Sequence, residues 1–165
     1  MSFGWAHVLI LLVALQRLAE LARARRNTRA LIERGGREVG AGHYPLMVAL
    51  HAGWLVAMFV LTSPNPEPQW PLLIFFLLLQ CLRLWVIASL GPFWTTRIVT
   101  IDGAPPVRSG PYRYMRHPNY LIVALEIPVL PLALGLPWVA LIFGGLNLVL
   151  LAWRIAVENR ARASL

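Results

Sequence analysis

Residues 72–90 read LLIFFLLLQCLRLWVIASL and contain a single charge, Arg83. A helix needs about 20 mostly apolar residues to cross a bilayer. No other feature limits the chain so strongly, and four more stretches share the pattern. Spans are expected at about residues 3–21, 44–61, 71–90, 119–134 and 137–158. The fold class this predicts is an all-α integral membrane protein, with five transmembrane helices in a single domain over residues 1–165. Only Gly135 and Leu136 separate the last two spans, which therefore close into a C-terminal helical hairpin. Composition agrees: 13% of residues are charged, against about 25% in an ordinary soluble domain. A disordered chain is excluded, and the single Cys81 excludes a disulfide scaffold. The first span has no basic n-region and no small-residue cleavage site, so it reads as a helix rather than a signal peptide.

The net charge of +8 comes from 15 basic residues, all arginine, against 7 acids. Arg23, Arg25, Arg26, Arg29, Arg34 and Arg37 follow the first span, and Arg97, Arg108, Arg113 and Arg116 follow the third. Arg160 and Arg162 lie in the tail. The connections between the second and third spans and between the fourth and fifth carry no basic residue. Arginines in alternate segments predict an N-terminus outside and a C-terminus in the cytoplasm. The lipid bilayer is thus the expected partner, with the first arginine run lying beside anionic lipid. No aromatic residues interleave that run, so nucleic acid is not an expected partner.

Ionisable residues inside a span are costly and default to functional readings. Here they are Arg83, Glu126 and Arg154, with His51 and Glu158 nearer the ends. Arg17, also within a span, is close enough to the interface to snorkel. Asn147, Arg154 and Glu158 share one helical face, as do Asn119 and Glu126. An Arg154–Glu158 pair at i, i+4 could be a salt bridge, but such surface pairs contribute only about 0.2–0.5 kcal/mol. The short hairpin places Glu126 and Asn147 at similar depth, either as a satisfied pair or as the lining of a polar pocket. Arg83 could be the counter-ion of Glu126 or could snorkel to an interface.

Residues 91–118 are too rich in glycine and proline to span. Arg116-His117-Pro118 should end one conformation and begin the fourth helix, with Pro118 in its first turn. His117 then sits at a helix N-terminus, where free N–H groups accept an anionic or electron-rich group. His43 and His51 are eight apart and no cysteine pair exists, so no metal site is expected. The phosphate-binding glycine loops and the serine-nucleophile elbow are missing too.

The run GPYRYMRHPNY, followed by a hairpin and then RIAVEN, resembles the signature of the isoprenylcysteine carboxyl methyltransferase family and its bacterial relatives. Arg154 follows Tyr120 by 34 residues, and the resemblance covers residues 94–160. The stretches WTTRI, HYPLMVALH and RHPNYLIVALE are similar to a bacterial branch associated with O-methylation of alkylpyrones or phenolic lipids. The resemblance implies an integral, multi-pass enzyme of a bacterial cytoplasmic membrane that uses S-adenosyl-L-methionine as cofactor. It implies cofactor contacts at Arg97, Pro105, Pro106, Val107, Tyr112, His117, Pro118, Tyr120 and Glu158. It also implies a substrate-facing Arg154. The family's pattern of two adjacent acids is half kept, because Asn159 replaces the second.

Chemistry runs parallel to that resemblance. A polar, cationic methyl donor and a lipophilic small-molecule acceptor need a polar pocket that opens sideways to the bilayer. Arg154, with Asn147, Asn119 and His51, would hold the acceptor, and Arg154, Glu126 and His117 are the catalytic candidates. A carboxylate acceptor needs no base. An enol or phenol needs deprotonation or oxyanion stabilisation, which His117, His51 or Arg154 could provide. Two rival readings are a small lipid-binding or transport protein with an Arg83–Glu126 relay, and a nucleotide-dependent membrane reductase.

Overall fold

The computed structural model describes residues 3–101 and 107–163. Five helices make up most of it: α1 (Trp5–Glu33), α2 (Tyr44–Leu61), α3 (Trp70–Leu90), α4 (Pro118–Ala133) and α5 (Pro137–Ala163). The first overruns its expected end by twelve residues. Alanine, leucine and arginine are all strong helix formers, so the arginine-rich stretch continues the helix. Arg23, Arg25, Arg26 and Arg29 therefore lie on α1 and not in a loop. At 29 residues it is roughly 44 Å long, more than the ~30 Å of a hydrocarbon core.

Helices α1, α2, α3 and α5 are long and apolar enough to cross a membrane. The fourth expected span is shorter than the rest. Helix α4 has 16 residues, roughly 24 Å, and packs between α3 and α5. Its Ile122, Val123, Glu126, Ile127 and Leu130 are all buried. Meanwhile Leu11, Leu15, Leu77, Leu84, Leu141 and Val149 are exposed, and Glu20, Arg83, Glu126 and Arg154 are buried. Apolar outside and charged inside inverts a water-soluble fold and suits a chain solvated by lipid.

Local chemistry sets the helix ends. Pro118 occupies the first turn of α4 with His117 at the N-cap, as the sequence predicts. The α4–α5 turn needs a left-handed residue, and Gly135 has φ +73°. Prolines 128 and 131 lie inside α4. Pro131 has no N–H for the Ile127 carbonyl, and the Trp54 indole from α2 donates to that oxygen instead, at 3.0 Å. A freed carbonyl inside a bundle is thus satisfied from a neighbouring helix.

Two features tie the segments together. One departs from the all-α expectation: β1 (Arg37–Val39) pairs antiparallel with β2 (Ile98–Thr100), Arg37 opposite Thr100 and Val39 opposite Ile98. This pins the chain after α1 to the chain after α3. The other is a closed ring of charges between α1, α3 and α4. Arg83 donates to Glu20 through Nε and Nη2 (2.9 and 2.6 Å) and to Glu126 through Nη1 (3.1 Å). Arg17 closes the ring to Glu20 (3.1 Å) and Glu126 (3.0 Å). Gln80 donates to Glu126 at 2.6 Å, and Gln16 to Glu20 at 3.0 Å. So Arg83 is a counter-ion of Glu126. Arg17 pairs within the bundle and does not snorkel, because α1 runs on for three more turns and leaves it mid-helix.

Candidate active site

The start of α4, the later turns of α5 and the segment after α3 meet at one end of the bundle. Tyr120, in the first turn of α4, is central. Arg154 Nε donates to its hydroxyl oxygen at 2.8 Å, and the hydroxyl donates to Glu158 Oε2 at 2.7 Å. The i, i+4 spacing puts Arg154 and Glu158 on one face of α5, and Tyr120 from α4 bridges cation to anion. His117 Nδ1 lies 3.7 Å from the same Glu158 oxygen. Its ring stacks on Tyr120 with centroids 5.1 Å apart and planes 6° from parallel.

These side chains form the wall of a polar cleft of about 190 Å³, with Arg97, Tyr112 and Arg116 among its other lining residues. Arg97 is anchored by Glu38 at 2.7 Å and lies over the Tyr44 ring at 4.4 Å. The hydrogen bond that Arg97 donates to the Glu38 carboxylate holds its guanidinium further toward the charged form. Burial, aided by the Glu158 carboxylate, pushes the Tyr112 hydroxyl up to about 12. Tyr112 therefore keeps its proton and can donate at any ordinary pH.

A second cavity, of about 440 Å³, is chiefly apolar and is lined from α1, α2, α4 and α5 by residues including Leu21, Val48, Leu55, Val123 and Leu151. Leu18, Val48 and Val56 line it and are also exposed on the outer surface, so it reaches the lipid-facing side. The two cavities share one wall: Trp94, Thr95, Asn119, Tyr120 and Arg154. A polar and an apolar ligand could therefore meet across Tyr120 and Arg154.

Of the residues singled out from the sequence, Arg97, Tyr112, His117 and Glu158 line the polar cleft. His51 and Asn147 line the apolar cavity, while Asn119, Tyr120 and Arg154 line both. His51 Nδ1 faces the Met47 carbonyl at 2.8 Å. The Asn147 amide donates to the Val123 carbonyl at 3.4 Å, so its partner is the α4 backbone and not the Glu126 carboxylate, despite their matching depth. Glu126 lies in the charge ring behind the apolar cavity, outside both walls. Pro118 is buried in the first turn of α4 and, like Val107, outside both walls. Pro105 and Pro106 lie outside the described residues. Sequence reasoning missed Trp94 and Thr95, which share the dividing wall, and Met47, whose sulfur accepts from Arg154 Nη1 at 3.0 Å. The WTTRI stretch was the available signal for the first two.

A sequence profile of the isoprenylcysteine carboxyl methyltransferase family matches residues 72–164, more than half of the chain. A Bacillus subtilis (strain 168) protein described as "Uncharacterized protein YpbQ" is 37% identical over 161 residues, which cover 95% of each chain. A Haemophilus influenzae relative described as "Uncharacterized protein" is 28% identical over 146 residues, covering 85% of this chain and 84% of that one. No solved structure gives a significant match.

Proposed function

The chain belongs to the isoprenylcysteine carboxyl methyltransferase family, and on that premise we propose that it methylates an oxygen of a lipophilic acceptor with S-adenosylmethionine as donor. The acceptor classes this admits are an alkylpyrone, a phenolic lipid and an isoprenylcysteine-type carboxylate. The observation that carries the reading is the shared wall: a polar cleft and a lipid-accessible cavity meet at Tyr120 and Arg154.

The residues of the cleft suit such a donor. Tyr112, His117 and Tyr120 offer ring faces for an adenine. Glu158 offers a carboxylate to a ribose hydroxyl or an ammonium group. When bound, the cofactor supplies an electrophilic methyl group on a sulfonium. The chain's own work is positioning. Arg154, held by the Tyr120 hydroxyl and the Met47 sulfur, would orient the acceptor oxygen and stabilise its negative charge. Tyr120 keeps Arg154 and Glu158 in register across the wall. The apolar cavity would hold the acceptor's tail and keep water from the reacting oxygen. With the arginine-rich end of the bundle in the cytoplasm, the polar cleft opens to the compartment that holds the cofactor.

The test is calorimetry on the purified protein in detergent, with S-adenosylmethionine and NADPH as separate titrants. The proposal expects binding of the first, weakened at least tenfold in Glu158→Gln, and no binding of the second. Saturable NADPH binding with no adenosylmethionine binding would replace this reading with a reductase.

A further inference from the structure

Positive charge outweighs negative in the polar cleft. Its described lining residues include three arginines, Arg97, Arg116 and Arg154, and one carboxylate, Glu158. The Tyr120 hydroxyl ties Arg154 to Glu158. Among the described residues, that leaves Arg97 and Arg116 without a carboxylate in the wall itself. Such a wall repels the proposed donor, whose sulfonium and ammonium outnumber its one carboxylate. Compensation for Arg97 comes from behind. Glu38 on β1 lies opposite Val99 on β2, two residues beyond Arg97. Side chains alternate along a strand, so Glu38 and Arg97 share one face of the ribbon as a diagonal cross-strand pair. Both Glu38 oxygens accept from Arg97 Nη1, at 2.8 and 2.7 Å. A guanidinium carries five N–H donors, and the carboxylate engages one of its nitrogens. The Arg97 side chain remains 38% exposed in the cleft wall, whereas Glu38 lines neither cavity.

We propose that Glu38, acting through Arg97, sets the preference of the cleft for the cationic methyl donor over its neutral demethylated product, a role that rests on the methyltransferase reading. Arg97 offers N–H groups to the ligand, and Glu38 cancels the charge that comes with them. Loss of the methyl group turns the sulfonium into a neutral thioether. S-adenosylhomocysteine therefore keeps the hydrogen bonds of the cleft but no longer gains from Glu38, which favours exchange of product for fresh donor. A carboxylate acting across one guanidinium is roughly 8 Å from a ligand atom. At that range, removing a unit charge changes an equilibrium about two- to threefold at low salt. An ion pair that only braced the ribbon would add to stability and act on both ligands alike.

The experiment is calorimetry on the full chain in detergent at low salt, with S-adenosylmethionine and S-adenosylhomocysteine as separate titrants. The readout is the ratio of their affinities, donor over product. In Glu38→Gln that ratio should fall about two- to threefold. In Arg97→Gln both ligands should weaken, yet the ratio should rise, because Glu38 then acts uncompensated. Raising the salt to about 0.5 M should shrink both shifts. Glu33→Gln removes the same charge from an exposed position outside both cavity walls and should leave the ratio unchanged. A ratio that stays fixed in Glu38→Gln and Arg97→Gln, or that moves the same way in both, would overturn the role of Glu38 and keep the methyltransferase reading. If only one of the two variants folds, the sign of its shift still decides. Failure of the wild-type protein to bind S-adenosylmethionine would reject the donor reading and the role of Glu38 with it.

Discussion

Replacing Arg83 by methionine should be among the most damaging single changes in the chain. Its side chain is 7% exposed, and it supplies hydrogen bonds to both Glu20 and Glu126. The ring holds two arginines and two glutamates, so its net charge is zero. Methionine keeps an apolar stem of similar length but leaves two buried carboxylates sharing Arg17 alone. Breaking a buried ion pair by removing one partner costs about 3–5 kcal/mol, and that is the destabilisation expected for Arg83→Met. Adding Glu126→Gln restores neutrality around Arg17 and Glu20, and the new amide can still meet Gln80. The double variant should therefore recover about 1–3 kcal/mol, the usual coupling between residues in one network. Reversible unfolding in mixed micelles, followed by circular dichroism, measures both. If Arg83→Met costs less than about 1 kcal/mol, or if Glu126→Gln deepens the loss instead of relieving it, the ring is not what holds α1, α3 and α4 together.

Tyr120→Phe removes the hydroxyl between Arg154 and Glu158 and should lower methyl-transfer kcat/KM by about 10–100-fold, the scale of one or two charge-assisted hydrogen bonds. A steady-state assay checks this. Asn159, where the family has its second acid, is exposed and outside both cavity walls; Asn159→Glu should leave adenosylmethionine affinity within about twofold by calorimetry. Trp54→Phe strands the Ile127 carbonyl and should cost about 1–3 kcal/mol of stability in the same micelle titration. For Tyr112, burial raises the hydroxyl from 10.0 to about 12. The unfolded chain loses that proton first, so stability present below pH 10.0 falls as pH rises toward about 12. In Tyr112→Phe that part of the alkaline loss should disappear from the unfolding profile.

Hydropathy and proline chemistry carried much of the fold. The starts of α2 and α5, the Pro118 first turn and the Gly135 turn each follow from a local rule. The Arg83–Glu126 pair was an open alternative because two costly charges in neighbouring spans need each other. The limits were equally physical. A hydropathy window ends where charge begins, whereas a helix ends where its formers do, so α1 ran past residue 21. That error hid Arg17 and Glu20, which look like interfacial charges until α1 is known to continue. The three-residue strands depend on pairing across some sixty positions, and nothing in REV or IVT alone declares it. Among the site residues, Tyr120, Arg154 and Glu158 were legible through spacing and resemblance. Their arrangement was not, because the hydroxyl bridge arises from packing α4 against α5.

The central claim is that a donor-side cleft and an acceptor-side cavity meet at Arg154. Its most direct measurement is transfer of radiolabelled methyl from S-adenosylmethionine into organic-soluble product, comparing wild-type protein with Arg154→Ala across phenolic, pyrone and carboxylate lipids. Label is expected in at least one lipid with the wild-type protein. None is expected with Arg154→Ala, while calorimetry shows that variant still binding S-adenosylmethionine. Equal labelling by the two proteins, or no labelling by the wild-type protein with any acceptor class, would contradict it.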